Sequence, residues 1–282
     1  MNIRRTSACL FLAASALLAV STTAQAASFT TNFTQSNGSE GDTWLNSVTQ
    51  KGVTVSNFSL VKSATILSNT PITGKKTGDT SNPEAAGRNN NTGAASTDKG
   101  DKATSPMPVS GMNDPTGAEI ASFLGNRNLS NIIDTEDSGS FKMNLFFDKA
   151  VAADKTGLDS IFFWERGMNS NLNVQAIDKQ GNLIGNLLKL NHKTQKYAGY
   201  TIDTMEIASA QKVGSWGINM NELGVTSLAG IQVIANGSSS NGPDFKVMAR
   251  ETSRSIPEPG TVGALLLTGF VTLRFGSKRK AV

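Results

Sequence analysis

The chain carries a single histidine, His192, within the polar run Asn191-His192-Lys193-Thr194. Any imidazole chemistry must pass through it. A Ser-His-Asp hydrolase also needs a serine on a sharp turn, and no Gly-x-Ser-x-Gly elbow occurs in the sequence. His192 therefore reads as a surface residue in a turn. One histidine and one cysteine exclude a zinc site built on those ligands, and a lone cysteine excludes an intrachain disulfide. Carboxylates are the remaining reactive groups. Asp134, Glu136 and Asp137 cluster, and Glu165 follows Trp164 in a strand-like run. Two carboxyl groups about 5–9 Å apart could cleave a glycosidic bond, but solvated loop charges are the default reading. The same acids suit calcium, which takes carboxylate and carbonyl oxygens. Asp134, Asp137 and Asp244 are the candidates, the last closing the Asn- and Gly-containing stretch 236–244. None has EF-hand spacing.

Aromatic rings can stack on sugar faces, which singles out Trp44, Trp216, Tyr197 and Tyr200. Trp44 follows Gly41-Asp42-Thr43 and is expected at the surface, while Trp164, beside Phe163, is expected in the core. Core packing is the preferred reading for the set, because aromatic residues dominate burial. No glycine-rich phosphate loop opens a helix, and no basic stripe is interleaved with aromatics. Nucleotides and nucleic acids are not expected partners.

The elements that must position these groups are strands. Phe141, Met143, Leu145 and Phe147 alternate with polar residues, as do Leu172, Val174 and Ala176. Period-two patterning of this kind marks a strand with one buried face. The stretch 158–164 is apolar on both faces and predicts a central strand. Residues 178–182, with Gly181, predict a hairpin loop into a strand over 183–190. Further strands are expected over 53–60, 196–203, 212–220, 228–234 and 245–249, and only 118–124 reads as a short helix. Short strands with Gly, Asn and Asp between them predict an antiparallel β-sandwich or jelly roll. Of the 50 residues in 68–117, 31 are Gly, Ser, Thr, Asn or Pro and none is aromatic. That segment predicts a long disordered loop inserted in the domain, for lack of apolar surface to bury.

Charge is unevenly placed. The chain has 26 Lys+Arg against 22 Asp+Glu, a formal +4. Arg4, Arg5, Arg274, Lys278, Arg279 and Lys280 lie at the ends; without them 20 basic residues face 21 acidic ones over 27–256, a balance of −1. Residues 1–26 read as a secretory signal peptide. Arg4 and Arg5 precede a charge-free apolar run over 8–20, and Ala24-Gln25-Ala26 supplies small residues for cleavage before Ala27. Cys9 would leave with that segment. The exported body then spans 27–255. At the other end Pro257-Glu258-Pro259 precedes an apolar run over 261–273, then Arg274 and the cluster Lys278-Arg279-Lys280. The stretch 261–277 would span about 25 Å as helix. That suffices for a short transmembrane helix whose flanking cations stay cytoplasmic.

The order Pro-Glu-Pro, short apolar run and basic tail over 256–282 resembles the PEP-CTERM sorting signal of exported bacterial proteins. Here the basic cluster follows Arg274 by a few residues instead of adjoining the apolar run. The resemblance implies entry through the export translocon and transient anchoring in the inner membrane. It further implies processing by an exosortase-type enzyme and delivery to the cell surface or extracellular matrix. The function expected is thus a non-enzymatic exported surface or matrix protein with exopolysaccharide as its glycan partner. The alternative is an extracellular glycan-active hydrolase using a carboxylate pair.

Overall fold

Alternating apolar and polar residues, cut by Gly, Asn and Asp, give a chain of short strands. The computed structural model describes residues 22–23, 29–71, 96–99, 102–104, 115–204 and 209–252. In chain order the elements begin with β1 (Thr22–Thr23), β2 (Phe29–Gln35), β3 (Thr43–Gln50), β4 (Val53–Val55), β5 (Phe58–Ser59), β6 (Val61–Asn69) and β7 (Ser96–Lys99). Helix α1 (Gly117–Leu124), the one α-helix among the described residues, leads to β8 (Asn131–Asp134), β9 (Ser140–Ala152), β10 (Ile161–Arg166), β11 (Leu172–Ile177) and β12 (Leu183–Leu190). The last are β13 (Lys196–Ile202), β14 (Gln211–Ile218), β15 (Ser227–Asn236) and β16 (Asp244–Arg250). The fold is mainly β, and its strands pair antiparallel except for β1 on β12.

Three sheets result. A six-stranded sheet runs β1-β12-β11-β15-β9-β6; a seven-stranded sheet runs β13-β14-β10-β16-β8-β7, with β5 also on β16; a three-stranded sheet runs β2-β3-β4. The first two pack face to face around one core, which includes Phe141, Met143, Leu145, Val174, Ile231, Phe163, Trp216 and Phe245. The other face of the seven-stranded sheet meets the small sheet in a second core. There Phe162, Trp164, Tyr200 and Met248 pack on Phe29, Leu45 and Val48. Strand β10 explains this layering. Ile161 and Phe163 enter the first core, Phe162 and Trp164 the second, so a run apolar on both faces becomes the middle strand of the middle layer. The architecture is sandwich-like with a third layer added. Trp164 Nε1 bridges two layers by donating to Thr31 Oγ1 at 2.9 Å.

Helix α1 starts where Thr116 and Glu119 form a capping box. Glu119 N–H donates to Thr116 Oγ1 at 3.3 Å, and Thr116 N–H donates to Glu119 Oε2 at 2.6 Å. Its Ile120, Phe123 and Leu124 are buried in the first core. The hairpin over 178–182 closes on Asp178, whose Oδ1 accepts from the N–H groups of Gln180 and Asn182, both at 2.9 Å.

The expected loop over 68–117 is corrected at its structured parts. Residues 68–69 finish β6, β7 pairs with β8, and 115–117 open α1. Thr104 also donates to Asp42, from N–H at 2.9 Å and Oγ1 at 2.6 Å. Composition forecasts apolar burial, whereas an edge strand is held by backbone groups that every residue carries. Residues 72–95, 100–101 and 105–114 lie outside the described residues. So do the expected signal helix over 8–20, the cleavage residues Ala24, Ala26 and Ala27, and the sorting segment 256–282 with its transmembrane helix. Within the expected signal peptide, Thr22 and Thr23 are extended and pair with Leu188 and Lys189, as suits β-branched residues. No helix among the described residues is long and apolar enough to cross a membrane.

Candidate functional site

In β3, Thr43 and Leu45 turn inward, so Trp44 turns outward and is 39% exposed. Its neighbour across the small sheet is Thr34. The segment after α1 runs alongside β3 through two backbone bonds, Leu45 N–H to Arg127 O at 2.9 Å and Leu129 N–H to Thr43 O at 2.7 Å. This brings Arg127 beside Trp44. Together Trp44, Leu45, Asn46 and Arg127 line an open depression of about 580 Å³. The Arg127 guanidinium lies 5.1 Å from the Phe58 ring centre and donates through Nη2 to the Asn46 carbonyl, which fixes its plane. Asn46 is fixed in turn, donating from Nδ2 to Thr34 Oγ1 at 2.9 Å. A flat apolar ring next to held amide and guanidinium groups can stack on one face of a sugar and hydrogen-bond its hydroxyls.

The other aromatic candidates divide. Tyr197 is 50% exposed on β13 with Lys212 Nζ 5.7 Å from its ring centre. Trp216 and Tyr200 are buried, one in each core. Trp216 Nε1 is satisfied by the Asn191 carbonyl at 3.0 Å, and burial holds the Tyr200 hydroxyl in its protonated form by raising its pKa.

Asp134 and Asp244 do meet in space, and the group between them is Arg166. Its Nη2 stands 2.8 Å from Asp134 Oδ1 and 2.7 Å from Asp244 Oδ2, while Nη1 donates to Thr204 Oγ1 at 3.2 Å. Asp244 Oδ1 also accepts the Thr135 N–H at 2.9 Å. Burial pushes the Asp244 carboxyl well above its usual range, against the pull of Arg166 and with the push of Asp134. Both acids are under a tenth exposed. The guanidinium is the cation this pair holds, and it ties β8, β10 and β16 together. Asp137 lies exposed in the following turn. The turn and the 236–244 segment pack closely: a Cβ on Gly242, whose φ is +54°, would stand 2.1 Å from the Thr135 carbonyl oxygen. Among the described residues, no group of three or more His, Cys, Asp or Glu side chains is placed to hold a metal ion.

Glu165 faces the opposite side of β10 from Arg166. It is fully buried, accepts from Gln195 Nε2 at 2.8 Å, and desolvation raises its pKa to about 8. His192 opens a short 3-10 turn after β12, and Asn171 Oδ1 sits 3.2 Å from its Nδ1 and 3.1 Å from its backbone nitrogen. The groups that sequence reasoning passed over are Arg127, Asn46 and Arg166. Only Asn46 left a local signal, since the inward Leu45 turns both its neighbours out. Comparison with protein-family models, with curated proteins and with solved structures finds no match to this chain.

Proposed function

We propose that this is an exported bacterial surface or matrix protein that binds glycan without catalysis. On this reading residues 1–26 form a signal peptide that directs the chain to the export translocon. The run 261–273 forms a short transmembrane helix with Arg274, Lys278, Arg279 and Lys280 on the cytoplasmic side. An exosortase-type enzyme acts near Pro257-Glu258-Pro259 and releases the body to the surface or an exopolysaccharide matrix. The routing is supported by the order of motifs at the two ends of the sequence.

The observation that carries the ligand reading is the outward indole of Trp44. The other two tryptophans are in the cores, whereas this one lies in a depression with Arg127 and Asn46. Burying an indole stabilises a fold, so leaving one in water between fixed hydrogen-bonding groups suits a ligand. The carboxylate-pair alternative rests on Asp134, Glu136, Asp137 and Glu165; of these Asp134 is held by Arg166 and Glu165 is fully buried, which favours the binding reading.

The test is retardation of the full-length protein in native gels containing neutral polysaccharides, a β-glucan, a mannan and a galactan. Trp44→Ala is expected to weaken binding roughly tenfold, which corresponds to about 1.4 kcal/mol, with melting unchanged. Equal retardation of the variant and the parent would sink the proposal.

A further inference from the structure

The three strands that carry Trp44 have a second property. None of the residues of β2, β3 or β4 is charged, in a chain whose residues are 17% Asp, Glu, Lys or Arg. Their inward side chains, Phe29, Leu45 and Val48 among them, fill the second core. Their outward side chains, Trp44 apart, bear only hydroxyls and carboxamides, and these form a cross-strand lattice. Asn32 Nδ2 donates to Ser47 Oγ at 3.0 Å and to Thr49 Oγ1 at 2.9 Å. Thr49 Oγ1 and Thr54 Oγ1 share a hydrogen bond of 3.1 Å, so the lattice reaches all three strands. A separate cross-strand bond, from Asn46 Nδ2 to Thr34 Oγ1, holds the residue paired with Trp44.

Such a lattice fixes the side chains before any ligand arrives, which lowers the entropic cost of binding. It is not saturated: a hydroxyl has one donor and two acceptor sites, and a carboxamide oxygen two more. At about 3.3 Å per residue and about 4.8 Å between strands, the face measures roughly 25 by 10 Å. From Trp44 to Thr49 alone is about 17 Å. That is a strip for an extended chain, continuous with the aromatic site, and too long for one sugar. An acidic polymer would find cations only at the rim, Arg127 beside Trp44 and Lys51 in the β3–β4 turn, whose Nζ already donates to the Gly157 carbonyl at 2.9 Å. A protein partner would find few of the apolar anchors on which protein interfaces depend. Repeating hydroxyls on an uncharged, ring-shaped backbone match it group for group.

We infer that the outer face of β2, β3 and β4 is an extended binding strip for a single neutral polysaccharide chain, with one sugar on Trp44 and its neighbours hydrogen-bonded along the Asn32–Thr49–Thr54 lattice. This rests on the glycan reading of Trp44 and specifies its ligand. The experiment uses the full-length protein and titrates neutral gluco-, manno- and galacto-oligosaccharides of two to six units, with alginate as the polyanion. Affinity for the preferred series should rise at least tenfold from two units to six and be indifferent to salt. Thr49→Val, which keeps shape and removes the hydroxyl, and Asn32→Ala should each weaken six-unit binding about fivefold and leave two-unit binding intact. Trp44→Ala should weaken both. If Trp44→Ala abolishes binding but affinity ignores chain length and the lattice variants behave as the parent, the strip is wrong while the Trp44 site stands. Tighter, salt-sensitive binding of alginate overturns the neutral class. Failure of every neutral series and of alginate removes the underlying glycan reading as well.

Discussion

Glu165 and Arg166 are adjacent in sequence yet face opposite cores, because neighbouring residues of a strand point to opposite sides. Arg166 meets two carboxylates in its core, whereas Glu165 is offered an amide by Gln195. The consequence is a proton. Burial raises the Glu165 pKa from 4.5 to about 8, so the folded state retains a proton that the unfolded chain releases above its ordinary pKa. Between about pH 5 and pH 8 the folded state binds more protons than the unfolded one, and this residue's contribution falls as pH rises, by at most about 1.4 kcal/mol per unit. Asp159, raised to about 6 chiefly by burial, acts in the same direction at lower pH. Lys246, fully buried and held below its ordinary value by desolvation, acts in the opposite direction, since its unfolded form binds the extra proton. A difference experiment isolates Glu165. Urea unfolding of the parent and of Glu165→Gln at pH 5, 6.5 and 8 should show the variant gaining relative stability at each step. Parallel curves would mean that Glu165 is already ionised in the folded state.

At the scale of elements, β15 joins β9 and β11 in the middle of the six-stranded sheet, and Gly230 pairs with Phe146 of β9 beside a shift in register. A Cβ there would stand 2.2 Å from the Leu145 carbonyl oxygen and 2.9 Å from the Phe146 Cα. Both are backbone atoms that cannot swing aside. Gly230→Ala should therefore cost about 1–3 kcal/mol in a urea melt, as over-packing does, and a loss under 0.5 kcal/mol would show that β9 yields. The alternation that defines β9 and β11, the two-faced run of β10 and the apolar side of α1 were all legible in sequence, because each is a local pattern of burial. Strand partners were not legible. Phe58–Ser59 pairs with β16, and β6 with β9, across separations that no local pattern encodes. The site divides the same way. The exposure of Trp44 could be read from Thr43-Trp44-Leu45, while Arg127 reaches it only through backbone bonds between β3 and a segment some eighty residues further on. Arg166 ends an apolar run, so nothing local marked it as the partner of two distant aspartates.

Across the whole molecule, stability comes from two cores sharing one central sheet, since the only cysteine, Cys9, precedes the body. The last strand of the body, β16, has partners on both sides and ends in ion pairs. Arg250 Nη1 stands 2.6 Å from Asp154 Oδ2, and Glu251 Oε1 stands 2.6 Å from Lys149 Nζ. Among the described residues β16 is the last strand, and Glu251 pins its end before the Pro257-Glu258-Pro259 motif begins. Trimming before Ala27 removes the two-residue edge strand β1 and its pairing with β12, leaves the two cores intact, and, together with trimming at the other end, alters charge. On the proposed route the surface species starts at Ala27 and lacks 261–282. It therefore loses Arg4, Arg5 and the four C-terminal cations, and the formal +4 of the full chain becomes about −1 or −2, depending on whether Glu258 stays. Terminal-peptide mass spectrometry of surface and matrix fractions, with isoelectric focusing of the same material, should find both changes together. Surface material that retains residues 261–282 would defeat the exosortase step and leave an ordinary membrane anchor in its place. Material that starts at Met1 would defeat the signal peptide. The proposed glycan site would be indifferent to either result, because Trp44 and its lattice lie within 29–71, between the two processing points.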